Sequence, residues 1–298
     1  MKPAAFHYVA ARSVEQALDA LVRSDGDAKL LAGGQSLIPL LNMRLASPAR
    51  LVDLNRVPEL AYVQERDGGI AIGAMTRDRA VERNQTVATH VPLLAEAIAR
   101  IGHPQIRNRG TLGGSIAHAD PAAELPAVAV CLDARLTVHG PGGTRTIGAD
   151  QLYAGYLTTT IQPDEVLTEA WFPTVPPCTG QAWLEFARRH GDYAIAGVGA
   201  CVTLREDGAI CHARLALSGV AGAPVRAGEA EAILAGGPMD GERVAAAVDA
   251  VRRAIDPHGD VHATPGYRRH LAGVLVERAL ETAYARAVSR GGPTACLS

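Results

Sequence analysis

The sequence predicts an α+β protein of two domains. The first, over residues 1–177, is built from two α/β subdomains, and the second, over 178–298, has a three-stranded antiparallel sheet followed by helices. Three observations lead there. The chain has 298 residues, 48% hydrophobic and 20% charged, a length suited to about two domains and a composition too apolar for disorder. The stretch Pro173-Thr174-Val175-Pro176-Pro177 lacks the amides a strand ladder needs and favours an extended connector, which sets the boundary at 177. Strand and helix patterns are interleaved before that point and segregated after it.

Ser13-Val14-Glu15-Gln16 has the form of a capping box. It opens a helix with the apolar stripe Val14, Ala17, Leu18, Leu21, Val22, which Asp25-Gly26 stops. Ala28 to Ala32 reads as a strand ending in Gly33-Gly34-Gln35-Ser36, followed by Leu37 to Leu45 and a strand at Leu51-Val52-Asp53-Leu54. From about residue 60 the pattern becomes strand-rich, with a strand at Gly69 to Gly73, a helix near Thr76 to Arg83 and a longer one over Pro92 to Ile101. A second glycine loop, His103 to Ser115, precedes a buried helix over Glu124 to Leu132. A hairpin over Leu136 to Ile147, turning at Gly140-Pro141-Gly142-Gly143, and a strand at Val166 to Phe172 complete this domain.

Beyond the connector come strand-like runs at Ala182 to Arg188, Ile195 to Leu204 and Ile210 to Val220, the last two joined by a turn at Glu206-Asp207-Gly208. Helical periodicity then takes over at Ala227 to Ala235, Glu242 to Ile255 and Tyr267 to Arg290.

Composition excludes several functions. With 29 basic and 31 acidic residues there is no positive field to attract a nucleic acid backbone. Only Lys2 and Lys29 are lysines, so Schiff-base and P-loop chemistry have almost no candidates. Five cysteines, none in a C-x-x-C pair, and a start without a secretory apolar segment point to a reducing cytoplasm. The longest nearly apolar run, Ile195 to Leu204, is about half the ~20 residues a membrane-spanning helix needs. Hydrolase, zinc-protease and Rossmann signatures are missing, and the His258/His262 spacing, beside Pro257 and Gly259, reads as a solvated loop with no metal. No side chain is expected to act as a catalytic acid or base.

Two glycine doublets stand out, Gly33-Gly34 and Gly113-Gly114, each followed by Ser or Gln-Ser. Residues without Cβ admit positive φ and let successive N–H groups converge on an anion. Two such bends would suit the two charges of a diphosphate, with Ser36, Thr111 and Ser115 adding hydroxyl donors. Taken singly, each doublet is equally well read as a tight turn.

The longer segments Ala32-Gly33-Gly34-Gln35-Ser36-Leu37-Ile38-Pro39-Leu40 and Thr111-Leu112-Gly113-Gly114-Ser115-Ile116-Ala117-His118-Ala119-Asp120-Pro121 closely resemble the two FAD-binding loops of the medium, flavoprotein subunit of molybdenum hydroxylases. That family includes the medium subunit of aerobic carbon monoxide dehydrogenase and the flavin domain of xanthine dehydrogenase. Leu51 to Asn55, Gly191-Asp192-Tyr193-Ala194 and Tyr267-Arg268 extend the likeness over nearly the whole chain. The resemblance implies a PCMH-type FAD-binding domain with Ala32, Gly33, Gly34, Gln35 and Ser36, and Thr111, Leu112, Gly113, Gly114 and Ser115, around the FAD diphosphate and ribityl chain. Ile101, Glu124 and Leu167 fall where the family has further flavin contacts, and Tyr193 where an aromatic ring lies near the isoalloxazine. By themselves Ile101 and Leu167 also read as core, Glu124 as a helix-start carboxylate and Tyr193 as a turn aromatic. Gln35 stands where the family often has histidine, and Ser115 where it often has aspartate or asparagine.

The resemblance further implies an electron-transfer subunit. It would take electrons from a small iron-sulfur subunit, itself fed by a large molybdopterin subunit, and pass them through FAD to an external acceptor. The expected assembly is a heterotrimer, paired into a dimer of three-chain units. The alternative is a stand-alone PCMH-type flavin reductase, like the enolpyruvyl-sugar reductases, and a third reading is a scaffold without flavin.

Overall fold

A computed structural model describes residues 2–291; Cys296 lies outside the described residues. The first subdomain is a sheet of three parallel strands in the order His7–Ala10, Arg50–Asp53, Ala28–Leu31. Helix Val14–Val22 forms the first crossover, with Val14, Ala17, Ala20 and Leu21 buried. Its start is a modified capping box. The Gln16 N–H donates to Ser13 Oγ at 3.3 Å, while Gln16 Oε1 accepts from the N–H of Arg12, one residue before the cap, at 2.9 Å.

The second subdomain is a five-stranded antiparallel sheet in the order Val63–Arg66, Gly69–Gly73, Val166–Pro173, Arg135–Gly140, Gly143–Gly148. Helices Asp78–Glu82, Pro92–Ile98, Leu112–His118 and Glu124–Cys131 pack around it. All eight residues of Glu124–Cys131 are buried, and past its first residue, Glu124, the helix is apolar all round, as a helix enclosed by strands Ala196–Leu204 and Ile210–Ser218 and by neighbouring helices requires.

The expected three strands of the second domain are present as Thr179–Phe186, Ala196–Leu204 and Ile210–Ser218, and a fourth, Val225–Arg226, extends the sheet. Two residues are too few to show an alternating pattern. Helices Gly228–Leu234, Gly241–Ala254 and Pro265–Gly291 follow. Adjacent residues of the first strand face opposite ways, as the pleat requires. Gly180 backs onto the Ala283 carbonyl of the long helix, and Gln181 Oε1 accepts from the Leu93 N–H at 2.9 Å on the other side. The sheet therefore has the long helix on one face and helices Pro92–Ile98 and Glu124–Cys131 on the other. Bonds from the Cys131 thiol to the Gly199 carbonyl at 3.4 Å and from the Trp183 N–H to Glu96 Oε2 at 3.0 Å cross that second interface.

No helix among the described residues is long and apolar enough to cross a membrane. His258 and His262 lie in the non-helical stretch 255–264, where the N–H of His262 donates to Asp260 Oδ1 at 2.8 Å and its ring hydrogen-bonds Arg188 at 3.0 Å.

Candidate functional site

Residues 32–36 join strand Ala28–Leu31 to helix Leu37–Asn42. Gly34 takes φ +74°, the left-handed region open to glycine. The N–H groups of Gly33, Gly34, Gln35 and Ser36 have no hydrogen-bond partner among the described residues, whereas the carbonyls beside them are occupied. Ala32 O accepts from Asn55 Nδ2 at 3.0 Å, Gly33 O from Gln35 Nε2 at 3.1 Å and Gly34 O from the Ile38 N–H at 3.1 Å. A turn with its acceptors bound and its donors free is a ready anion site.

The second doublet is built differently. Leu112–His118 is a helix, not a loop, with Thr111 as its N-cap. Its first amides are all engaged: Leu112 N–H to Thr76 O at 3.1 Å, Gly113 N–H to Ala74 O at 2.9 Å, Gly114 N–H to Thr111 Oγ1 at 3.2 Å and Ser115 N–H to Thr111 O at 3.1 Å. The expectation that both doublets offer free main-chain amides is therefore corrected: only the first does. The second doublet's glycines serve close packing. A Cβ on Gly113 would collide with Ala74, and one on Gly114 would lie 2.6 Å from Thr111 Oγ1 and 3.2 Å from Ala32 Cβ. Thr111 Oγ1 accepts from Gly114, which leaves its hydroxyl hydrogen to donate, and Ser115 carries a second hydroxyl in the same helical turn.

The two motifs touch. A Cβ on Gly33 would collide with the Arg109 carbonyl and lie 2.7 Å from Gly110 Cα. Tyr193, on the segment before strand Ala196–Leu204, has Ser36 among the groups that act on its phenol, so the second domain also reaches the first loop. Tyr193 is 56% exposed, yet its phenol pKa is raised, first by enclosure of the hydroxyl and then by the negative charge of Asp120.

Buried carboxyls flank the second motif. Glu124, the first residue of its helix, is 5% exposed and pushed up to about 8 by burial and by neighbouring Glu185. Asp78 lies against Gly110, is pushed up to about 7 by burial, and keeps one oxygen without a hydrogen-bond partner. Burial lowers the His118 pKa against the opposing pull of Asp120.

Leu167 lies in the apolar cluster that also holds Leu112 and Ile116, and partly buried Ile101 packs against that cluster. Buried Arg107 fixes the backbone at Ile101, donating to its carbonyl at 2.9 Å while pairing with Glu82 at 2.9 Å. Asn55 and Arg77 carry structural duties that sequence reasoning missed. Arg77 donates to Asn55 Oδ1 at 2.7 Å and to the Arg109 carbonyl. Asn55 sits in a segment noted for its likeness to the family, but nothing local marks it; Arg77 carries no sequence signal.

The family described as FAD binding domain in molybdopterin dehydrogenase matches residues 4–175, and the CO dehydrogenase flavoprotein C-terminal domain matches residues 181–283. The 6-hydroxypseudooxynicotine dehydrogenase complex subunit alpha of Paenarthrobacter nicotinovorans is 46% identical, over 99% of this chain and 98% of its own. The carbon monoxide dehydrogenase medium chain of Hydrogenophaga pseudoflava is 39% identical, over 96% and 99%. The solved carbon monoxide dehydrogenase of that organism superimposes with a TM-score of 0.94 at 40% identity, covering 96% of this chain and 99% of the other. Quinoline 2-oxidoreductase from Pseudomonas putida 86 gives 0.91 at 35% identity, covering 96% and 99%. With two matched families in order and relatives aligned along nearly their full length, the chain belongs to the FAD-binding medium subunits of the molybdenum hydroxylases and is the flavoprotein component of an oxidoreductase.

Proposed function

We propose that this subunit relays electrons within a three-chain complex. It takes them from a small iron-sulfur subunit, fed by a large molybdopterin subunit, and delivers them through FAD to an external acceptor. The complex is a heterotrimer, paired into a dimer, in the cytoplasm. The FAD domain ends at the connector at residue 177.

One observation carries the reading: the seam where the loop with four unpaired amides at Gly33 to Ser36 packs on the segment Arg109 to Gly114, with no room for a side chain at Gly33 or Gly114. Such a donor-rich cleft suits the FAD diphosphate. Ala32 to Ser36 and Thr111 to Ser115 hold that group and the ribityl chain. Tyr193 shields the ring system, and Glu124 offers a protonated carboxyl as a donor. Ile101 and Leu167 back the site from the core. Bound FAD supplies the capacity to take up and release electrons. The protein groups bind and orient it.

Relatives named for 6-hydroxypseudooxynicotine, nicotine, carbon monoxide and caffeine are all 36–46% identical to this chain. Likeness at that even level across such different substrates supports substrate selection by another chain.

The test is purification from the native source followed by acid release of flavin. FAD in the extract, with an iron-sulfur chain and a molybdenum chain co-eluting and flavin bleaching on addition of the complex's substrate, is expected. A colourless chain that takes up no FAD would overturn the reading. A solitary yellow protein that reduces its own substrate would favour the stand-alone reductase.

A further inference from the structure

We infer that Asn55 is a positioning residue that aims the Gly33 amide at the cofactor's diphosphate; the inference rests on the flavin reading above. In a trans peptide the C=O of one residue and the N–H of the next point in opposite directions, and no peptide bond described here is cis. The Ala32 carbonyl is bound to Asn55 Nδ2 at 3.0 Å. The Gly33 N–H, which belongs to the same peptide, therefore points away from Asn55, and it is one of the four amides without a partner. Gln35 does the same one peptide later: its Nε2 holds the Gly33 carbonyl at 3.1 Å and turns the Gly34 N–H to the free side.

Asn55 is itself held at both side-chain polar atoms and at its main-chain N–H. Its second amide hydrogen goes to Asp53 Oδ1, its main-chain N–H reaches the same oxygen at 2.8 Å, and its Oδ1 accepts from Arg77 at 2.7 Å. Asp53 is anchored in turn by the Tyr8 hydroxyl. Because Arg77 also donates to the Arg109 carbonyl, the chain of bonds runs from the first loop to the second and sets the spacing between them. A fully satisfied side-chain amide in such a network has one geometry, which is what aiming a neighbouring dipole requires.

The test titrates the full-length chain, stripped of flavin, with FAD and in parallel with riboflavin, which lacks both phosphates. Phosphorus NMR of bound FAD is recorded alongside. Asn55→Ala is expected to weaken FAD by about tenfold or more, the size of one lost charge-assisted contact, and to shift the phosphorus resonances. Riboflavin affinity stays at its wild-type value, while the melting temperature of the flavin-free chain falls only by the modest amount that losing the Asn55 side-chain bonds implies. Asn55→Leu keeps the approximate size and adds no charge beside Asp53 or the diphosphate, but has no donor for the Ala32 carbonyl. It is expected to lose FAD affinity as well, and it decides the matter if the alanine variant does not fold. Wild-type FAD affinity in either variant overturns the proposal, as does an equal loss of FAD and riboflavin, which marks a general brace. A wild-type chain that binds riboflavin and FAD equally would instead overturn the diphosphate site itself.

Discussion

Gly33 and the carbonyl of Arg109 lie so close that no methyl group fits between them, although the two residues belong to different subdomains. Gly33→Ala must therefore push the first loop off the second motif. Overpacking of this kind costs about 1–3 kcal/mol. The expected result is a folded protein with a lowered melting temperature and little bound FAD, read from visible absorbance. A variant with normal flavin content would show that the contact does not shape the site.

Gly114→Val places its bulk on Thr111 Oγ1 and Ala32, not on a free amide. It disturbs the N-cap hydroxyl, and loss of a cap costs about 1 kcal/mol. FAD is expected to be lost while the circular dichroism of the chain is kept. Full flavin occupancy would remove Gly114 from the site.

Asp78 gives a pH signature. Its carboxyl is raised to about 7 in the folded chain, chiefly by burial, against about 3.9 when unfolded. The folded state thus binds the proton more tightly. The stabilisation it gives is complete below about pH 4, and is lost as pH rises through about 7. Asp78→Asn cannot ionise, so its melting temperature should exceed the wild type's by a margin that widens from pH 4 to pH 8. The widening reaches at most about 4 kcal/mol. A constant margin across that range would mean that Asp78 does not titrate there.

Tyr193 separates ring from hydroxyl. Tyr193→Phe removes only the hydroxyl and keeps the ring, and should weaken FAD at most severalfold with little change in its visible circular dichroism. Tyr193→Ala should change that spectrum strongly. Equal spectra for the two variants would place the ring away from the flavin.

Much of this architecture is legible in the residue pattern. Ser13 and Gln16 announce a helix start because capping chemistry is local. The stretch Ile210–Ser218 shows itself as a strand by its apolar run. The two glycine doublets look equivalent in sequence yet differ, because what distinguishes them is their partners. Thr76 and Ala74 claim the amides of Leu112 and Gly113, whereas no described residue claims those of Gly33 and Gly34. The bonds between Asn55, Arg77 and Arg109 span 22 and 32 residues. Contacts at such separations leave no periodic trace for a reader of the sequence.

Helix Glu124–Cys131, buried on every side, has a practical consequence. Scission of the polypeptide at its proline connector would strip away the Ala196–Leu204 and Ile210–Ser218 ribbons and leave that greasy cylinder facing water. The amino-terminal fragment is thereby committed to clumping rather than to an independent life, so swapping halves between related subunits would have to carry the matching cover along.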